Sequence, residues 1–276
     1  MIPTNYILIS VLTPLIVFCI TPIFYKNSLL RDILGPLGGV ISFFCAIKIS
    51  AFILDGTELQ ITLVQISNGL SISFNVSPLG AIFGLVASGL WILAAIYSIG
   101  YMRGNNELHQ TRFSSFYALA IFAALCIAYA GNLLTLFIFY EVLTFSTYPL
   151  VAHKQNESAK KAGRLYMGIL VGTSVIFLLP AIIIVWITSG TLEFSQNGIL
   201  NGHLDEKYIP FLLALFAFGI GKAALIPFHK WLPAAMVAPT PVSALLHAVA
   251  VVKAGVFSML IVIVNVFGID LLAKTD

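Results

Sequence analysis

Residues 132–152 read NLLTLFIFYEVLTFSTYPLVA, an apolar run with a single carboxylate, Glu141, near its middle. A helix needs about 20 such residues to cross the hydrocarbon core of a bilayer. Glu141 lies far enough from both ends of the run that its short side chain cannot reach water. An ionised group held at that depth costs several kcal/mol, with estimates from about 2.5 to well above 10. The stretch therefore reads as a membrane span that keeps an acid for a use.

Working outward, apolar runs give candidate spans at 6–25, 34–54, 78–100, 113–130, 132–152, 165–187, 209–226 and 243–267. The composition agrees, because 59% of the residues are hydrophobic and 9% are charged, against roughly 45–50% and about 25% in soluble domains. The fold class expected is an all-α integral membrane protein of about eight transmembrane helices. The seventh is short, and Pro227, Pro233, Pro239 and Pro241 crowd the stretch behind it, so a broken helix is expected there. Between the second and third spans, Leu59–Leu63 and Leu70–Val76 alternate about Ser67-Asn68-Gly69, which reads as an outside β-hairpin. The first run has no Lys or Arg before it and no small-residue cleavage site after it, so it reads as a span and not a signal peptide.

Alternate loops hold Lys26, Arg31, Arg103, Arg112, Lys154, Lys160, Lys161, Arg164 and Lys230, whereas the opposite loops hold Lys207 and Lys274. The positive-inside rule makes the first set cytoplasmic and puts both termini outside, as an even number of spans requires. Residues 1–276 form one transmembrane domain, with three helices in 1–112 and five in 113–267.

The net charge of +3 is spread thinly, and no basic run is interleaved with aromatics, so nucleic acid is excluded as a partner. Cys19, Cys45 and Cys126 are odd in number and sit singly in apolar runs. They form neither a disulfide framework nor a metal motif and read as small buried hydrophobes. His109, His153, His203 and His229 fall in loops without metal spacing; no metal or cofactor is expected.

Three lysines also fall within spans: Lys48, Lys222 and Lys253. Lys48 is six residues from Leu54 and can snorkel to the interface. Lys222 stands in Gly219-Ile220-Gly221-Lys222-Ala223-Ala224, which fails as a phosphate loop because Phe216 replaces the first glycine and Ala223 the Ser or Thr. It is the natural counter-ion for Glu141, whose own helical face offers Thr144 and Phe145 but no cation. At about 4 Å and an effective dielectric near 20, such a pair is worth roughly 4 kcal/mol. Approach or retreat of the carboxylate could then switch the amine between holding and releasing a proton. Lys253, among small residues, can relay what Lys222 releases, and His247 is a candidate further along the same helix. The blander alternatives are a static ion pair that fixes helix register and a satisfied interior histidine.

The segments Phe139-Tyr140-Glu141 through Ser146-Thr147-Tyr148-Pro149-Leu150, Lys222-Ala223-Ala224-Leu225-Ile226-Pro227-Phe228-His229-Lys230-Trp231-Leu232-Pro233, and Ala238-Pro239-Thr240-Pro241-Val242-Ser243-Ala244-Leu245-Leu246-His247 resemble the antiporter-like membrane subunits. That family covers Mrp-type Na⁺/H⁺ antiporter subunits A and D and the proton-pumping subunits of respiratory complex I. Residues 246–257 most resemble D-type Mrp subunits or generic proton-conducting transporters. The resemblance implies that Glu141 and Lys222 are a coupled pair, Lys253 a bridging lysine and His247 a further relay member. It implies about fourteen spans in two inverted repeats, of which only the first is present, as expected either of a split gene product whose second repeat lies on a separate chain or of a truncated reading frame.

The function expected is proton translocation in a multisubunit exchanger of Na⁺ or K⁺ for H⁺ in the bacterial cytoplasmic membrane, among other membrane subunits. The alternatives are a pump subunit driven by a redox module on other chains, such as NADH:quinone oxidoreductase or a membrane-bound hydrogenase, and a purely structural scaffold.

Overall fold

The structure is a computed structural model that describes residues 3–67, 69–245 and 250–273. Several of its long helices start where a short polar side chain takes up a free backbone N–H group. Helix α1 spans Asn5–Ile20 and runs on through a 3₁₀ turn, Thr21–Phe24. Helix α2, Ser28–Leu54, begins after Asn27, whose side chain accepts from the Leu30 N–H. Strands β1, Gln60–Ser67, and β2, Leu70–Asn75, pair antiparallel with Gln60 opposite Asn75. The expected hairpin is therefore present, although Asn68 of its turn lies outside the described residues. Helix α3, Pro78–Gly104, is capped by Ser77 with Pro78 in its first turn.

Helix α4, Gln110–Ala128, packs against α1, α2 and α3. Its run of Ala118, Ala120, Ala123, Ala124 and Ala128 is buried, because small side chains let neighbouring helices close in. Helix α5, Leu133–Val151, carries Glu141 and lies against α4. Helix α6, Glu157–Thr173, continues through a π turn, Ser174–Leu178, into α7, Leu179–Ser189.

Among the described residues, six helical segments are long and apolar enough to cross a membrane: Asn5–Phe24, Ser28–Leu54, Pro78–Gly104, Gln110–Ala128, Leu133–Val151 and Glu157–Ser189. The other two expected spans correspond to shorter pieces. Helix α8, Ile209–Gly219, is followed by a 3₁₀ turn, Gly221–Ala223. Short helices α9, Trp231–Ala234, and α10, Thr240–Ala244, come next. Helix α11, Val251–Ile261, continues as a π turn to Phe267, and α12 is a single turn, Ile269–Leu272.

Position 219 must be glycine, since a Cβ there would lie 2.4 Å from the Leu178 nitrogen. Just beyond it Ala224 takes a left-handed φ of 55°, a conformation that costs a residue with a Cβ about 1–2 kcal/mol. His247 lies outside the described residues.

The two ends of the bundle differ. At one end the hairpin meets the α4–α5 connection and the segment after α7. At the other, the basic end, the Asp32 carboxylate is shared by Arg31 and Arg103, and Arg31 also donates to Gln110. One cysteine corrects the expectation: Cys45 and Cys126 are buried, but Cys19 is exposed on the outer surface of α1.

Candidate functional site

Lys222 is fully buried, with 0% exposure. Its side chain does not form the expected ion pair with Glu141. The ammonium donates to the Tyr140 carbonyl at 2.8 Å and to the Thr144 hydroxyl at 2.5 Å, and sits 3.3 Å from the centroid of the Tyr140 ring. The Lys222 backbone N–H donates to the Tyr140 hydroxyl at 3.0 Å. Tyr140 thus holds both ends of the lysine and supplies the backbone partner that the interrupted helix cannot.

The reason is helical geometry. Tyr140 and Thr144 are four residues apart and share one face of α5, whereas Glu141 is one residue on, about 100° round the axis. The face that meets Lys222 is therefore the tyrosine's, with the carboxylate beside it. Glu141 remains within electrostatic reach of Lys222, Tyr140 and Tyr166. Its Oε1 is buried with no hydrogen-bond partner, an uncommon condition for a carboxylate in a protein interior.

The walls around this centre are aromatic. The Trp231 indole N–H donates to the Gly221 carbonyl at 3.0 Å and so pins the 3₁₀ turn that carries Lys222. Tyr166 meets the Trp231 ring edge-on, with centroids 5.5 Å apart, and shares a 2.5 Å hydrogen bond with Thr147. Helix α11 closes the far side: a Cβ at Gly255 would lie 2.3 Å from the Ala223 nitrogen.

That close approach fixes Lys253. It is two residues before Gly255, about 200° round the helix, and it is exposed. The crowding expected around Lys253 is real, but its side chain leaves from the opposite face of α11. Lys48 is exposed as well, 5.7 Å from the Phe44 ring.

Three elements of the site were not anticipated from the sequence: the tyrosine clamp on Lys222, the Arg31–Asp32–Arg103 cluster, and a polar knot at the hairpin end. In the knot, the Asn132 side chain caps α5 by accepting from the Thr135 N–H at 2.7 Å. The same side chain donates to the Ser71 carbonyl, the Ser73 hydroxyl and the Glu193 carboxylate at 2.9, 2.9 and 3.0 Å. An asparagine directly before an apolar run is an N-cap signal that could have pointed to Asn132. The long-range partners carry no such signal, since no spacing links residues 71, 132 and 193.

Residues 130–272 match the family described as NADH:quinone oxidoreductase/Mrp antiporter, transmembrane. Residues 64–114 match the N-terminal region of complex I chain 5. A Na⁺/H⁺ antiporter subunit A1 of Staphylococcus aureus is 31% identical over 256 residues, which is 90% of this chain and 32% of that protein. The putative antiporter subunit mnhA2 of Staphylococcus haemolyticus is 30% identical over 68% of this chain and 24% of its own length. The chain thus spans a third or less of these curated relatives.

Among solved structures, the membrane-bound sulfane sulfur reductase, an archaeal respiratory membrane complex, has a chain that superimposes with a TM-score of 0.79 at 22% identity. The match covers 92% of this chain and 52% of that one. A chain of the Mrp complex from Dietzia sp. DQ12-45-1b gives 0.72 at 22% identity, over 91% and 27%. With a buried lysine clamped beside an intramembrane glutamate in a helical membrane bundle, and with more than half its length matched, the chain belongs to the NADH:quinone oxidoreductase/Mrp antiporter family of transmembrane subunits.

Proposed function

We propose that this chain is a proton-translocating subunit of a multisubunit antiporter that exchanges Na⁺ or K⁺ for H⁺. The observation that carries the reading is Lys222, wholly buried and bound by neutral oxygens while an unpartnered carboxylate oxygen of Glu141 lies within electrostatic reach. A charged lysine donates to both the Tyr140 carbonyl and the Thr144 hydroxyl. A neutral one still donates to the carbonyl and accepts from the hydroxyl, because threonine serves in either sense. The same cradle suits both protonation states, which is what a relay needs and a static ion pair does not.

Glu141 is the group whose protonation biases Lys222, and Lys253 passes the proton on across the exposed face of α11. His247, outside the described residues, is a further member of the relay. In this reading the chain crosses the bacterial cytoplasmic membrane eight times, with the seventh crossing broken at Gly219–Ala224 and both termini outside. Other membrane subunits complete the path. The test is cation/proton exchange in everted vesicles carrying the whole complex. Lys222→Ala abolishes exchange while the complex still assembles, and exchange at the unsubstituted rate sinks the assignment.

A redox-driven pump is the second reading, because the matched family includes NADH:quinone oxidoreductase subunits. Proton uptake that requires quinone or hydrogenase turnover, with none driven by a sodium gradient, would favour it.

A further inference from the structure

On the outer surface of the bundle, α2 and α3 part to leave a groove of about 430 Å³. Ile33, Leu37 and Val40 form one wall and Ile92, Ile96 and Ile99 the other. The groove starts at Arg103, at the basic end, and reaches Ile92, where the helices close: a Cβ at Gly39 would lie 2.8 Å from the Ile92 side chain. Eleven residues at about 1.5 Å each make it roughly 16 Å long. That is close to half of the ~30 Å hydrocarbon core, the depth of a single leaflet.

Charge marks its mouth. Arg31 and Arg103 share the one carboxylate of Asp32, which leaves one positive charge uncompensated. Arg31 is buried, but the Arg103 side chain is 46% exposed. Its Nε and Nη2 are engaged by Asp32 and the Ser28 carbonyl, and Nη1 has no partner among the described residues. Lys26 is exposed just before the start of α2.

We propose that this groove binds one anionic phospholipid, with an acyl chain lying along α2 and α3 and its phosphate on Arg103. Inside a bilayer the tail gains little by leaving its neighbours, since lipid is as apolar as the groove. The choice of lipid therefore rests with the headgroup, where a guanidinium makes strong charge-assisted hydrogen bonds to phosphate oxygens. The positive charge of a choline or ethanolamine would oppose Arg103 and Lys26, whereas a glycerol headgroup would not. The inference needs only that the chain lies in a bilayer and is independent of the proton relay.

The experiment is native mass spectrometry of the full chain, extracted in detergent and titrated with equal amounts of phosphatidylglycerol and phosphatidylcholine of identical acyl chains. One phosphatidylglycerol is retained over phosphatidylcholine by about tenfold, the scale of one to two basic side chains at a membrane surface. Arg103→Gln removes that preference while leaving Asp32 paired with Arg31, and Leu37→Trp, which fills the groove without touching a charge, lowers retention of both lipids. Equal retention by the unsubstituted chain, or a preference that survives Arg103→Gln, overturns the proposal.

A second readout does not depend on Arg103→Gln folding. Ile96→Trp fluorescence in nanodiscs is quenched more strongly by brominated phosphatidylglycerol than by brominated phosphatidylcholine, and equal quenching overturns the idea. So does a photo-crosslinker at position 37 that captures a neighbouring protein subunit in the assembled complex.

Discussion

At the scale of single residues, the position of Lys222 was legible and its partners were not. An ammonium in an apolar run announces itself through its cost, and so does a carboxylate such as Glu141. Which face of α5 meets the lysine depends on a rotation about the helix axis that the apolar pattern of 132–152 leaves open. Thr144→Val removes one of two hydrogen bonds to the buried amine and lowers stability by about 1–3 kcal/mol. In a Lys222→Met background the same change costs much less, so a double-mutant cycle on thermal unfolding in detergent returns their coupling.

His153 makes a separate case at the basic end. It is 3% exposed and its Nδ1 has no partner. Burial first, and then the neighbouring Arg112, push it down to about 4, with His109 and Lys154 acting the same way and a hydrogen bond to the Leu108 backbone opposing them. The folded value lies below the ordinary one of about 6.5, so the unfolded chain binds more protons between the two. The stability contributed is complete above about pH 6.5 and is lost as pH falls towards 4. The unfolding midpoint of the unsubstituted chain therefore drops more over that window than that of His153→Asn.

At the scale of elements, the long helices and the hairpin were written in local signals, apolar length and alternation. What escaped was geometry imposed by distant contacts, such as the stop of α8 against Leu178 and the knot around Asn132. In that knot one side chain caps a helix and ties strand β2 to the segment after α7. Asn132→Ala gives up the cap, about 1 kcal/mol, and also leaves the Glu193 carboxylate without its amide donor. The loss should reach about 2–4 kcal/mol in total, read as a lowered unfolding midpoint. Asn132→Asp keeps the cap but sets two carboxylates together, so it should be no better than alanine.

At the scale of the molecule, the membrane class followed from composition alone, whereas the direction in which Lys253 points did not. Small residues around a lysine signal a close neighbour, but the close approach belongs to Gly255, and Lys253 faces away. The exposed side of α11 carries Lys253 with Val256 and Leu260 beside it. If another subunit completes the relay there, Lys253 resists amine acylation in the assembled complex and is modified in the chain alone. Equal labelling in the two would count against a partner on that face.

Helix α4 has a consequence of its own. Two thirds of its apolar window is buried, more than in any other of the six long segments, and some of what encloses it, α5 and α11, comes later in the chain. The ribosome must therefore release α4 while those sides are still open to lipid. Its alanines suit this order of events, since a methyl group is content against a lipid tail during synthesis and leaves room for a helix that has not yet been made.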